Sequence, residues 1–209
     1  MPPSSDKRGK TRIQREKTEI ILNAALDIFA RDGFRGASIN KISEHAGMST
    51  PSLLYYFGSK EKIHKELMSR TLLLWIGPLN MMRDNDDPIA EICDYVRRKL
   101  EISQNFPRES RLFANEVLMG VPRAQKQVFD PLRSVFDSKI ALVEQWINDG
   151  RIAPVDPYHM FYSIWATTQH YADFKIQIEE LSPHKAKNLF PEAEAYLTQM
   201  YRRMLTPSG

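Results

Sequence analysis

Apolar side chains recur along this chain at three- and four-residue intervals from about residue 14 almost to the end, and no stretch alternates with the two-residue period of a half-buried strand. The first run, Ile21, Ala24, Ala25, Ile28 and Phe29, defines one face of a helix over 14–32 that Gly33 and Gly36 close. Ser38 then precedes a short helix carrying Ile39, Ile42 and Ala46. Ser49 precedes another with Pro51 in its first turn, where a missing N–H does no harm. Ser59 precedes a helix over 60–76, with Glu61 in its first turn and Ile63, Leu67 and Trp75 among its apolar positions, and Gly77-Pro78 predicts its end. Further on, Asp87-Pro88 opens a helix aligning Ile89, Ile92, Val96 and Leu100. Pro107 opens one that ends near Gly120, and a long helix covers 124–149. Asp156-Pro157 opens one running to about 178, and Pro191 the last, to about 204. The expected fold class is all-α, with about nine helices.

Two of the short helices flank Ala46-Gly47-Met48-Ser49, where glycine permits a tight left-handed turn. Helix, glycine turn and second helix rich in small polar and tyrosyl side chains read as a helix-turn-helix, which lays one exposed helix in the DNA major groove. Charge agrees with this. Residues 1–76 hold 13 basic and 8 acidic side chains, whereas residues 77–209 hold 16 and 18. A basic front suits a polyanionic partner and the rear does not. Residues 1–13, with Lys7, Arg8, Lys10 and Arg12, read as a flexible basic arm, either lying on DNA or serving as a solubilising tail. Residues 14–76 form the expected DNA-binding domain and 77–209 a second helical domain. Thr50 and Ser52 are small enough for close approach to the groove. Asn40 and Lys41 reach bases or backbone, and Ser38, Tyr55, Tyr56 and Lys60 are candidate phosphate contacts.

The segment AALDIFARDGFRGASINKISEHAGMSTPSLLYYFGSKEKI resembles the DNA-binding domain of the TetR family of one-component repressors. The likeness rests on Phe34-Arg35-Gly36, on the Ala46–Ser49 turn and on Tyr56-Phe57-Gly58-Ser59-Lys60-Glu61, and covers roughly residues 16–76. It implies a homodimer on a palindromic operator and a C-terminal domain for a small effector; the cytoplasm is the expected compartment because no signal sequence or membrane-crossing run is present. It further implies Asn40, Thr50 and Ser52 as base readers, with Ser38, Tyr55, Tyr56 and Lys60 on phosphates. Leu54 departs from the pattern, because many members carry a phosphate-contacting tyrosine there.

In the rear domain, Tyr158, Phe161, Tyr162, Trp165, Gln169 and Ala172 share one helical face, while Met160, Ile164, Tyr171 and Phe174 cover much of the other. A helix apolar nearly all round is buried on two sides, one of them available to a second subunit. Gln169, inside the aromatic face, needs partners for its amide, either backbone or ligand. Glu116 falls among Leu112, Phe113, Val117 and Met119 and must pair with an arginine such as Arg98 or Arg111, or meet a ligand. Trp75 packs between domains or lines a site. The segments 53–57, 112–122 and 153–174 resemble those of pyrimidine-utilisation repressors within the TetR family, which implies uracil or thymine as effector. The residue types agree. A flat ring stacks on Trp75 or Trp165 beside Phe113, and the Gln169 amide matches the alternating N–H and C=O groups of an imide. Another aromatic or apolar effector, or a helical protein-interaction adaptor, is the alternative.

Catalysis finds no support. His45, His64, His159, His170 and His184 form no HExxH, and no nucleophile elbow, Walker loop or dinucleotide fingerprint occurs. The single cysteine, Cys93, excludes an intrachain disulfide, no zinc spacing exists, and no cofactor is expected. No apolar run is long enough to cross a membrane and the N-terminus carries no signal sequence.

Overall fold

Serine and aspartate caps set several of the helix starts. In the computed structural model, which describes residues 5–120 and 125–207, Ser38 Oγ accepts from Lys41 N at 3.2 Å, Ser49 Oγ from Ser52 N at 3.3 Å, Asp87 Oδ1 from Ala90 N at 2.9 Å and Asp156 Oδ1 from His159 N at 3.0 Å. Each bond satisfies one of the N–H groups that a helix start leaves unpaired. Among the described residues there are ten α-helices, one 3-10 helix and no strand. The chain divides into two compact units, the first formed by residues 1–70 and 111–124, the second by 71–110 and 125–209. The sequence boundary at 76 thus falls inside the second unit, and the first recruits a later segment.

The first unit contains α1 (Ser5–Gly36), α2 (Ile39–His45), α3 (Thr50–Phe57), the opening of α4 (Lys60–Met81) and the end of α6 (Pro107–Leu118). Its core is the predicted α1 face: Ile21, Ala24, Ala25, Ile28 and Phe29 are buried together with Ile42, Leu53, Ile63 and Leu67. Burying a side chain of Ile, Leu or Phe size contributes about 1.5–3 kcal/mol. The arm expected over 1–13 is corrected in part, since α1 begins at Ser5; residues 1–4 lie outside the described residues. Within α1, Gly33 adopts φ 66° and ψ 175°, a conformation open to glycine alone, and this bends the chain where the sequence placed a stop. At Gly47, φ is 64°, the left-handed residue that lets α3 cross α2.

The second unit contains the rest of α4, α5 (Pro88–Asn105), α7 (Gln125–Asn148), α8 (Pro157–Asp173), α9 (Lys175–Leu181), a 3-10 helix (Pro183–Asn188) and α10 (Leu189–Leu205). Helix α5 is central and packs on α8 and α10. The core holds Leu79, Met82, Tyr95, Val96, Trp146, Phe161 and Tyr201. Three expectations are corrected. Helix α4 does not stop at Gly77-Pro78 but runs to Met81. Proline removes one N–H, yet Leu79 and Met82 just beyond it are fully buried, and their burial holds the next turn in place. The helix expected to 178 breaks at Phe174, whose N–H caps His170 O at 3.0 Å. Helix α10 starts at Leu189, ahead of Pro191.

Helix α3 is only eight residues long, too short to persist without its cap and tertiary contacts. Ser49→Ala is expected to cost about 1 kcal/mol and to speed amide exchange at Ser52. An unchanged melting temperature and unchanged exchange there would show that the cap contributes nothing.

Candidate DNA interface and effector site

Helices α2 and α3 are joined at their polar edge. Thr50 Oγ1 at the start of α3 lies 2.9 Å from Ser43 Oγ and donates to Asn40 Oδ1 at 3.1 Å. Two of the residues expected to read bases, Asn40 and Thr50, are therefore neighbours fixed in mutual register, with the Asn40 amide N–H groups still available to an acceptor. Ser52 is exposed one turn into α3, and Tyr55 is 83% exposed with its ring edge-on to Tyr56 at 5.4 Å. Ser38 Oγ accepts the α2 cap, so its O–H proton remains a donor. Leu54 adds an exposed apolar side chain to the same helix.

The two lysines are engaged differently from the sequence expectation. Lys60 Nζ donates to Phe34 O and Ala37 O, both at 2.9 Å, and lies 4.2 Å above the Phe34 ring. Its ammonium first clamps the α1–α2 connection, which corrects the picture of a lysine held out for phosphate. Lys41 Nζ donates to Gly36 O and to Asp32 Oδ2, both at 3.0 Å. The Asp32 carboxyl is lowered to about 2, chiefly by Arg31 and then by Lys41. The sequence shows these charges but not the carbonyls that take them.

The first unit also holds a cavity of about 390 Å³ lined by Phe29, Phe34, His64, Leu112, Asn115 and Glu116. Glu116 is buried, as its place in the apolar arc required. Glu116 Oε2 lies 3.3 Å from His64 Nε2, with both side chains almost wholly buried. Phe29 and Phe34 meet the His64 ring edge-on at 5.2 and 4.9 Å. Arg98 instead pairs with Glu91 at 3.0 Å. Phe113, half-buried, belongs to this unit as well.

The other three expected effector residues, Trp75, Trp165 and Gln169, belong to the second unit. Trp165 is enclosed by aromatic rings, with Phe136 at 5.3 Å and Tyr162 at 5.8 Å, and its Nε1–H donates to Tyr95 Oη at 2.7 Å. Its indole donor is thus already used. Burial pushes the Tyr95 hydroxyl far above the usual tyrosine range, so it stays protonated. Gln169 is half-buried, and among the described residues its amide forms no hydrogen bond. Trp75 is buried, and one face of its ring is covered by Lys99 Nζ, 3.4 Å from the ring centroid. Sequence reading misses Lys99 and His64. Both stand at positions their helices bury, Lys99 with Val96 and Leu100, His64 with Ile63 and Leu67. A polar residue inside an apolar stripe is the available signal.

Residues 21–67 match the bacterial regulatory proteins of the tetR family, and residues 68–208 match the C-terminal region of YcdC-like proteins. This chain belongs to the TetR family. It is 42% identical over 173 residues to the HTH-type transcriptional regulator RutR of Escherichia coli strain K12, covering 83% of this chain and 82% of that protein. Among solved structures, the TetR-family regulator PfmR from Thermus thermophilus matches with a TM-score of 0.69 at 17% identity, over 90% of this chain and 96% of that one. AibR, solved in complex with isovaleryl coenzyme A and operator DNA, matches with a TM-score of 0.64 at 18% identity, over 75% of this chain and 85% of that one. At such identities these two establish the fold alone. As a TetR-family member the protein is a DNA-binding transcriptional regulator with a helical C-terminal domain, and not an enzyme. The reading as a protein-interaction adaptor is thereby set aside.

Proposed function

We propose that the protein is a homodimeric repressor that releases operator DNA on binding uracil or thymine. The observation carrying the effector assignment is the Gln169 amide, half-buried on α8 beside an aromatic stripe and without a hydrogen bond among the described residues. A half-buried amide with its donors and acceptor unused favours a ligand with alternating N–H and C=O groups over a ring that lacks them. Support comes from the resemblance to pyrimidine-utilisation repressors and from the extent of identity to RutR. Trp75 and Trp165 supply aromatic surface, with Phe113 and Glu116 assigned to the same response. On the DNA side, Asn40, Thr50 and Ser52 read bases, Ser38, Lys41, Tyr55 and Tyr56 position the helix on the backbone, and Lys60 acts indirectly by holding the α1–α2 connection. Acting in the cytoplasm, two copies place their α3 helices in successive major grooves about 34–36 Å apart.

Dimerisation is assigned to α8 and α10. Tyr162 and Tyr196 are exposed on these helices, and a groove of about 710 Å³ between them is lined by Ala166, Thr167, Tyr196, Leu197 and Met200. Helix α4 runs unbroken from one unit into the other, so a shift at Trp75 is covalently continuous with the DNA-binding unit. A ligand acts only through its different affinity for the two states, and moving the population from 1:99 to 99:1 takes about 5.5 kcal/mol.

The test is a mobility shift on an operator selected in vitro. Uracil or thymine is expected to release the wild-type protein. Gln169→Leu should still retard the DNA yet no longer respond to either base. Retention of the operator at saturating concentrations of both bases would refute the effector assignment, and an undiminished response in Gln169→Leu would remove that residue from the site.

A further inference from the structure

Helix α5 presents Tyr95, Lys99 and Ser103 at four-residue intervals, a single stripe on a helix. Both ends of this stripe meet α8. Tyr95 Oη accepts from Trp165 Nε1 at 2.7 Å, and Ser103 Oγ donates to Thr168 O at 3.0 Å. Lys99 lies between them on the α5 stripe. Its side chain is 3% exposed, and its Nζ sits 3.4 Å from the centroid of the Trp75 ring. An ammonium has three N–H donors and no acceptor role. Among the described residues none of the three finds a hydrogen-bond or ion-pair partner. Asp173 acts on Lys99 only through space, while its own Oδ1 accepts from Ser110 Oγ.

This arrangement is costly for a residue that merely packs. A buried charge without a hydrogen-bonded counterpart is destabilising, and a methionine of similar length fills the same volume without that penalty. The indole face returns part of the loss by cation–π attraction, which leaves the outward N–H groups unanswered. Burial also drives the lysine well below its ordinary range, with Asp173 opposing the shift. An orphaned donor of this kind in a ligand-binding unit calls for an acceptor brought from outside.

We propose that Lys99 is a binding residue of the effector site, donating to an effector oxygen that carries partial or full negative charge, either a ring carbonyl of an imide or a ring carboxylate. The assignment rests on the reading of the effector as a planar pyrimidine, and it narrows the class to oxygen-bearing rings. Trp75 holds the ammonium from behind, so the face it occupies is not a stacking surface for ligand. Gln169 and Lys99 then divide the polar edge of the ring: the amide takes a paired N–H and C=O, and the ammonium takes a further oxygen. A ring without oxygen leaves Lys99 buried and unanswered, and is rejected for that reason.

Isothermal calorimetry of the full-length wild type and of Lys99→Met with uracil, thymine, 6-carboxyuracil and unsubstituted pyrimidine tests this. Wild type is expected to bind at least one oxygen-bearing ring and to ignore unsubstituted pyrimidine. Lys99→Met should bind that ring roughly 10- to 100-fold more weakly, while melting at the same or a higher temperature than wild type in the absence of ligand. That combination separates a ligand role from a structural one. Affinity of Lys99→Met within about twofold of wild type overturns the Lys99 assignment and leaves the pyrimidine effector standing. Binding of 6-carboxyuracil alone, lost in Lys99→Met, upholds Lys99 and removes uracil and thymine as effectors. If wild type binds none of the three oxygen-bearing rings, both readings fall. Should Lys99→Met lose its melting transition, the same comparison is made on Lys99→Gln.

Discussion

Trp146→Ala is expected to cost about 3–5 kcal/mol, the range for deleting a fully buried tryptophan. Trp146 is wholly buried in the core of the second unit together with Val143, Ile152 and Leu205. The substitution opens a cavity in packing that relaxes only partly, and it removes a polar anchor besides. Trp146 Nε1–H donates to Asp84 Oδ1 at 2.7 Å, and the same oxygen accepts from Arg151 at 2.9 Å. These donors, Trp146 first and Arg151 second, hold the Asp84 carboxyl below the usual carboxylate range. A depressed carboxyl contributes stability above its ordinary range and loses it as pH falls through the folded value. The alanine variant should therefore lose urea resistance at neutral pH and also meet its acid transition at higher pH. Trp146→Phe, which keeps much of the volume and none of the N–H, should fall between. A loss below about 1 kcal/mol for the alanine variant would contradict the core described here. Since domains are stable by only about 5–15 kcal/mol, this is the substitution expected to do most harm to the effector-binding half.

Lys60→Ala should produce the largest single effect on the DNA side, by an indirect route. The sequence places this ammonium on phosphate, where its removal lowers affinity for all sequences and reduces the salt slope by about one. The structure shows Lys60 holding Phe34 O and Ala37 O and covering the Phe34 ring. Hydrogen bonds from a charged donor contribute about 1.5–3 kcal/mol, and their loss leaves two carbonyls to find water. The expected result is a melting temperature lowered by several degrees and uniformly weaker binding to DNA, with the salt slope unchanged. Fluorescence anisotropy across a salt series reads the affinity and the slope, and a thermal melt reads the stability. A slope reduced by about one with an unaltered melting temperature would return Lys60 to the phosphate.

Local chemistry is legible wherever a short segment determines the outcome. Ser38 and Ser49, the Gly47 turn, and the Asp87-Pro88 and Asp156-Pro157 starts each act within three or four residues, and in each the structure agrees with the sequence. Pro78 misleads because its local penalty is outweighed by Leu79 and Met82, whose burial depends on distant helices. The break at Phe174 is hidden for the opposite reason. Phe174 and Ile176 prolong the apolar period, yet both are exposed, and a pattern of residue types does not show which apolar positions stay outside. In the candidate effector residues, the burial of Glu116 follows from its helical arc, but His64 stands 52 residues earlier and no local pattern links the two. Lys99 is legible in principle and escapes notice because a lysine is expected on the solvated side.

The carboxyl end of α1 has a bearing on how the protein approaches a polyanion. Aligned peptide dipoles leave about half a negative charge on the last carbonyls of a helix, which repels phosphate within the final turn. In this protein α1 breaks at Gly33, and the carbonyls that follow the break are covered by cations from later in the chain: Lys60 takes Phe34 O and Ala37 O, and Lys41 takes Gly36 O. Three carbonyl oxygens that would repel phosphate are thereby neutralised, which favours the approach of an anion to the amino ends of α2 and α3.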